Sequence, residues 1–530
     1  MTPLLRRAFA ALLLAAGGLV FAAQPEPAAL PEQSVDVAMP ETNGTTIAVR
    51  AGDSFQAALD RAQPGDVIEL EAGAEFRGPF TLPNKSGDGW IVVRGSRDSE
   101  LVAPGTRVEA EHAHAMPVLS AEGNAVVTTA PGAHHVRFVG IAIRPAPGKF
   151  IYNVVEIGNG TEQQDALPHH VVFDRCVLSG DPELGARRGL AFNGAHLAVI
   201  DSHLYDFKEQ GADSQAVAGW NGPGPFLIAN NRLEGAGENV MFGGATPAID
   251  GLVPADIEIR GNYFTKPLSW KIDDASYAGT PWTIKNLLEF KNARRVLVDG
   301  NVFEHNWAQG QNGIAVLLTP RNEGGAAPWA VVEDITFTNN IVSGTAGGFN
   351  MLGQDDNGKP SGQTARIVIR NNLFHDMGGK WGQGPLFQML NGVADVTIER
   401  NTALNAGSII LAEGAPHANV SFRSNIVRNN EYGMIGTGTG MGLQTLERYF
   451  PEALVTGNAI IGGEMRSYPE GNFYPVSDKD AGLGNAEAGD FRLNLDRRLR
   501  RGETNDVGAD IDAMCAAFAP TERSRVCARQ

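Results

Sequence analysis

The pattern that most constrains this chain is six residues long: apolar, any, apolar, any, any, Asn. It reads FLIANN, IEIRGN, VLVDGN, ITFTNN, IVIRNN, VTIERN, VSFRSN and ALVTGN, ending at Asn231, Asn262, Asn301, Asn340, Asn372, Asn401, Asn425 and Asn458. Three earlier copies carry Ile141, Cys176 and Ser202 at that place, and successive spacings run 35, 26, 29, 31, 39, 39, 32, 29, 24 and 33 residues. Recurrence on this scale means a solenoid or a propeller. The uneven period favours a solenoid of short strands, because such a coil accepts loops of any size between fixed strands. No helical pattern of ten or more residues separates the copies, which argues against parallel strands joined by helices. Asn at the end of each copy suits a tight bend, since it accepts left-handed backbone and its amide can stack on the rung above. With 64 glycines and few charged residues, the chain is expected to be all-β.

Upstream, TTIAVRAGDSFQAALDRAQPGDVIELEAG reads as strand, N-cap at Asp53 with Gln56 three residues on, one amphipathic helix (Phe55, Ala58, Leu59, Ala62), turn and strand. A parallel stack leaves unpaired backbone at its end, and such a helix covers it. In these features the chain resembles the right-handed parallel β-helix, or pectin-lyase-like, superfamily. The resemblance spans roughly residues 45–475, and the tail GDFRLNLDRRLRRGETNDVGADID resembles the closing segment of many bacterial members. It implies a right-handed parallel β-helix solenoid of about eleven or more coils with an N-terminal capping helix. The expected organisation is signal peptide 1–23, flexible linker 24–44, β-helix 45–475 and C-terminal capping segment 476–530.

The first residues carry Arg6 and Arg7, an apolar run from Ala8 to Val20, and small residues Ala22 and Ala23 before Gln24, the layout of a secretory signal. An exported, periplasmic or secreted protein is expected, without membrane insertion. The formal charge of −17 argues against nucleic acid and anionic membrane as partners, since both require a basic footprint. It also weighs against a polyanionic substrate unless a local basic patch or bound cations reverse the field. Cys515 and Cys527 either close a small loop in an oxidising compartment or remain two thiols, and Cys176 reads as core. A monomer is expected.

A second strand precedes each repeat copy, and one end of that stack is polar, with Asn221, Glu289, Lys291, Arg321, Gln354, Asp355 and Gln388. The longest loops, 244–256, 320–334 and 354–366, leave from the same end, as loops that wall a binding site do. Six of the seven Trp (Trp220, Trp270, Trp282, Trp307, Trp329 and Trp381) fall in these central coils. Their rings either stack on sugars or pack loops onto the solenoid. Trp220, Asn221, Trp282, Trp307, Gln354 and Gln388 are therefore candidate substrate contacts. Glu289 and Lys291, two apart on one strand, share a face, and Arg321 falls on the next coil. A Lys base beside an Arg suits β-elimination at a uronic acid, while a surface ion pair is the alternative reading.

This set resembles the alginate lyase and chondroitinase B family of β-helix lyases. The resemblance implies Lys291 as base, Arg321 as its partner, and Glu289 with Glu238 as calcium ligands. The family's motif around the Lys is not reproduced, and the segment from Lys291 to Arg321 is long. The signatures of polygalacturonases, classical pectate lyases and mannuronan epimerases are missing. His134-His135 and His169-His170 precede strands at equivalent repeat positions and read as turn residues. The expected function is a lyase cleaving a uronic-acid-containing polysaccharide. The alternatives are a non-catalytic glycan-binding solenoid and a glycoside hydrolase using Glu289 with Asp355 or Glu413.

Overall fold

A computed structural model describes residues 24–158, 160–355, 357–493, 500–501, 505–520, 522–523 and 527. The expected signal at 1–23 lies outside them. Three all-parallel sheets of fourteen, thirteen and twelve strands run the length of the molecule, and successive strands of the chain visit them in rotation. The chain is a parallel β-helix. Among the described residues twelve coils contribute a strand to each sheet.

Register explains why the repeat reads as it does. In the fourteen-stranded sheet Ile228, Ile259, Val298, Phe337, Ile369, Ile398 and Phe422 pair one above the next, all buried in one continuous core. Each such side chain contributes roughly 1.5–3 kcal/mol on burial, and the alternation of two places every second residue in that column.

The repeat Asn side chains form an internal ladder. From Asn262 onward each Oδ1 accepts from the backbone N–H and the Nδ2 of the Asn one coil earlier, as Asn340 Oδ1 does from Asn301 at 2.8 and 3.0 Å. Asn340 Nδ2 in turn donates to Val298 O and to Asn372 Oδ1, at 3.0 and 3.2 Å. Ser202 Oγ accepts from the Cys176 N–H at the same position in an earlier coil. The left-handed residue is the one before the ladder Asn: Asn230, Asn339, Asn371, Arg400 and Ser424 have φ between 53° and 57°. The bend and the stacking amide are thus divided between two neighbours.

The expected helix is present at Phe55–Arg61, but Ser54 caps it by accepting from the Ala57 N–H, while Asp53 accepts from the Arg50 N–H. Phe55 meets Phe80 edge-on and closes the first coil.

In the segment expected as a linker, the backbone of residues 24–39 runs as a strap across the fourteen-stranded sheet. The N–H groups of Glu26, Ala29 and Glu32 donate to Asp395, Asp334 and Asp256, and Val35 packs on Val172, Ala198 and Leu227. Those three Asp occupy a second left-handed column, where Arg295 bridges to Asp256 and Arg366 to Asp334, both at 2.7 Å.

The last coil is covered by the helix Leu443–Tyr449 and by Tyr468 and Tyr474, while Asn472 accepts from Asn458 and ends the ladder. The helix Ile511–Ala517 instead lies alongside the solenoid, its Ile511, Met514 and Cys515 packed on Val302, Ile341 and Leu373. Cys515 and Cys527 form a disulfide with Cα atoms 5.8 Å apart, and Cys176 is buried and free. Among the described residues no helix is long and apolar enough to cross a membrane.

Candidate active site

Three short strands of the twelve-stranded sheet, Leu288–Phe290, Ile314–Leu318 and Gly347–Leu352, set the floor of the site. Their outward residues Glu289, Leu317 and Asn350 pair in register. Beyond the strand ends Lys291 and Arg321 follow in adjacent coils, and the loops at 322–325 and 355–359 rise beside them. Together with Asn312 they enclose an open cavity of about 810 Å³. Of the three long loops expected to wall a site, 320–334 and 354–366 contribute lining residues and 244–256 contributes none.

Glu289, Lys291 and Arg321 are brought together here. Lys291 Nζ stands 3.7 Å from Glu289 Oε1, which also receives the Thr319 hydroxyl at 3.2 Å. Arg321 donates to Asp355 Oδ1 at 3.0 Å, and the amide of Asn322 donates to the other oxygen at 2.8 Å. Burial works against the Asp355 carboxylate. The amides of Asn322 and Asn357, with Arg321 behind them, nevertheless hold it below its ordinary range.

The sequence alone did not single out Asn312, Asn350 or Lys359. Asn350 sits one register step from Leu317, yet nothing in the text of its strand marks it. Its Oδ1 is a buried acceptor with no hydrogen-bond partner. Lys359 comes from a loop with no periodicity and bonds the Gly324 carbonyl at 3.1 Å.

Several expected contacts lie elsewhere. Trp282 and Trp307 are 6 % and 4 % exposed and join Trp270 and Trp381 in a separate apolar cluster, so they cannot offer ring faces to a sugar. The Lys208 ammonium lies 5.1 Å from the centre of the Trp282 ring. Trp220 is half-buried with the Arg188 guanidinium over its ring, and Trp329 donates to the Leu252 carbonyl. Asn221 is buried and spent on loop backbone, donating to Thr161 O and accepting from the Ala248 N–H. Gln354 is exposed and Gln388 half-buried, and neither lines the cavity. Glu413 is two coils above Asn350, also outside it.

Calcium does not fit the carboxylates assigned to it. Glu238 is fully buried outside the cavity, gripped by Lys285 Nζ at 2.7 Å and Gln215 Nε2 at 2.7 Å. Burial alone would lower the Lys285 ammonium, but Glu238, Glu289 and Asp213 together raise it above its ordinary value. The chain's own cation neutralises this acidic group, and Glu289 and Asp355 are likewise engaged by Lys291 and Arg321.

No known family model matches the chain, and no curated protein does. Solved structures do. The PL6 family alginate lyase AlyGC aligns with a TM-score of 0.50 at 15% identity, over 80% of this chain and 53% of that one. This chain therefore spans about half the length of that enzyme. The catalytic unit of a GH87 α-1,3-glucanase from Streptomyces thermodiastaticus strain HF3-3 aligns with a TM-score of 0.47 at 13% identity, over 84% of this chain and 72% of that one. At 15% identity the likeness to the alginate lyase shows the parallel β-helix fold alone.

Proposed function

We propose that this protein is an exported polysaccharide lyase that cleaves a uronic-acid-containing glycan by β-elimination in the cavity around Lys291 and Arg321. One observation carries the reading: three cations, Lys291, Arg321 and Lys359, converge on one open cavity in a chain whose net charge is −17. With three carboxylates beside them the lining is balanced, which relieves the negative field where a polyanion must enter. The unpartnered Asn350 oxygen supports a hydroxyl-bearing ligand on the same floor.

In this reading the Lys291 amine takes the proton from the sugar carbon next to the carboxylate. The electron pair forms a carbon–carbon double bond as the bond to the glycosidic oxygen breaks, and that oxygen takes up the proton Lys291 carries. Arg321 and Lys359 hold the charge that builds on the carboxylate.

The test is a panel assay on residues 24–530 against alginate, pectate, glycosaminoglycans and neutral glycans, following ultraviolet absorbance of unsaturated product and reducing ends together. Unsaturated product that is lost in Lys291→Ala and in Arg321→Ala is the expected result. Reducing ends without unsaturation would move the chemistry to a hydrolase. Binding without turnover would leave a glycan-binding solenoid.

A further inference from the structure

The His pairs at 134–135 and 169–170 do more than turn the chain. They start two successive strands of the fourteen-stranded sheet, with His169 paired in register to His134. His135, His170 and His196 all take left-handed backbone, with φ between 51° and 55°. That shared geometry sends equivalent rings out of consecutive coils. His134 stacks on His169 with centroids 4.7 Å apart, and His135 stacks on His170 at 4.4 Å. Within each pair the two Nδ1 atoms face each other at 2.7 Å. Two imidazoles in that posture share a single proton, and the arrangement recurs one coil up.

We propose that His134, His135 and His169 form a binding site for a divalent transition-metal ion of the zinc or copper type, tying two neighbouring coils together. Ring nitrogens of the three lie within 4.8 Å of one another. Metal–imidazole bonds of about 2.0–2.1 Å need neighbouring nitrogens about 2.9–3.4 Å apart, depending on geometry. The facing Nδ1 atoms reach that separation by a small opening of the rings, with the metal replacing the shared proton. All three rings are half-buried, so an ion is reachable from solvent, and His169 tilts out of its stack on His134 to bring a nitrogen to it. Trp90 stands edge-on to His135 at 5.1 Å and closes one flank. Imidazole donors suit zinc and copper, not calcium. The site is separate from the cavity of Lys291 and Arg321, with which it shares no lining residue.

The experiment uses untagged residues 24–530, stripped of metal, titrated with Zn(II) against a chromophoric chelator and with Cu(II) for electron paramagnetic resonance. One equivalent of Zn(II) with a micromolar or tighter dissociation constant is expected, together with nitrogen splitting from at least two imidazoles on Cu(II). His134→Phe and His169→Phe keep the ring stack while removing the donor nitrogens, and each should weaken Zn(II) at least tenfold while the circular dichroism spectrum is retained. His196→Ala should change the affinity less than twofold. Failure of the wild-type chain to bind Zn(II) saturably, or unchanged affinity in both Phe variants, would overturn the site.

Discussion

The backbone N–H of Arg321 donates to the carbonyl oxygen of Lys291 at 3.0 Å. Two cationic residues far apart in the chain therefore leave neighbouring coils at the same corner, held by the ladder and not by their own side chains. The side chains then diverge to separate carboxylates, Lys291 toward Glu289 and Arg321 toward Asp355. Between them the cavity floor is formed by Leu317 and Asn350.

Asp355 is the residue through which the loop after Gly347–Leu352 fixes Arg321. Asp355→Asn should leave the fold intact and reduce kcat/KM on the uronic-acid substrate roughly ten- to a hundredfold, since a charged hydrogen bond is worth about 1.5–3 kcal/mol. Steady-state kinetics on unsaturated product measures it. An unchanged kcat/KM would mean that Arg321 is positioned without Asp355.

The Lys285 ammonium stands where the acids around Glu238 need a counter-charge. Lys285→Met should therefore destabilise the chain by roughly 3–5 kcal/mol, because an unpaired buried carboxylate remains. Adding Glu238→Gln to it should recover much of the loss in urea unfolding. Chelating calcium should leave turnover of the wild-type chain unchanged; loss of activity on chelation, restored by calcium, would show that these carboxylates do hold the ion.

The Asn ladder can be tested at one rung. Asn340→Ala removes the acceptor for two Asn301 donors and the donor to Val298 O. With about 1–3 kcal/mol at stake for each buried group left unsatisfied, a total loss of roughly 2–4 kcal/mol is expected in chemical denaturation. Asn340→Ser should cost less, since Ser202 fills the equivalent place in an earlier coil.

Much of this was legible because it repeats. The ladder Asn and the alternating apolar residues declare themselves by recurrence, and strand register alone carries Lys291 and Arg321 to one corner. The strap at 24–39 leaves no such trace, since its amides meet Asp256, Asp334 and Asp395, hundreds of residues away. Lys359 is likewise a loop residue whose place depends on how far the loop folds back. The Trp cluster was visible as a cluster, but which face of each ring is covered depends on how the loops pack.

That covered face makes a separable prediction. Trp282→Ala and Trp307→Ala should each cost about 3–5 kcal/mol of stability, as large-to-small changes in a packed cluster do. Neither should alter KM by more than about twofold at a temperature where the variant is folded, because a residue acting only through packing leaves ground-state binding in place. A selective rise in KM with Tm preserved would return these rings to the substrate path.

His417 ties stability to pH. It is 1 % exposed, accepts from the Val393 N–H at Nδ1 and stacks on Phe450. Burial pushes its imidazole down to about 4, against an ordinary value of 6.5. The unfolded chain then binds a proton between those two values that the folded chain refuses. The contribution of His417 is therefore fully present above pH 6.5 and is lost progressively as pH falls towards 4. The loss amounts to roughly 3 kcal/mol at the acid end, since each tenfold change in proton affinity is worth about 1.4 kcal/mol. Urea unfolding across this range should show that slope in the wild-type chain and a flatter one in His417→Gln, whose side-chain oxygen can still accept from Val393 but does not titrate. An identical slope in the two proteins would assign the acid sensitivity to other groups.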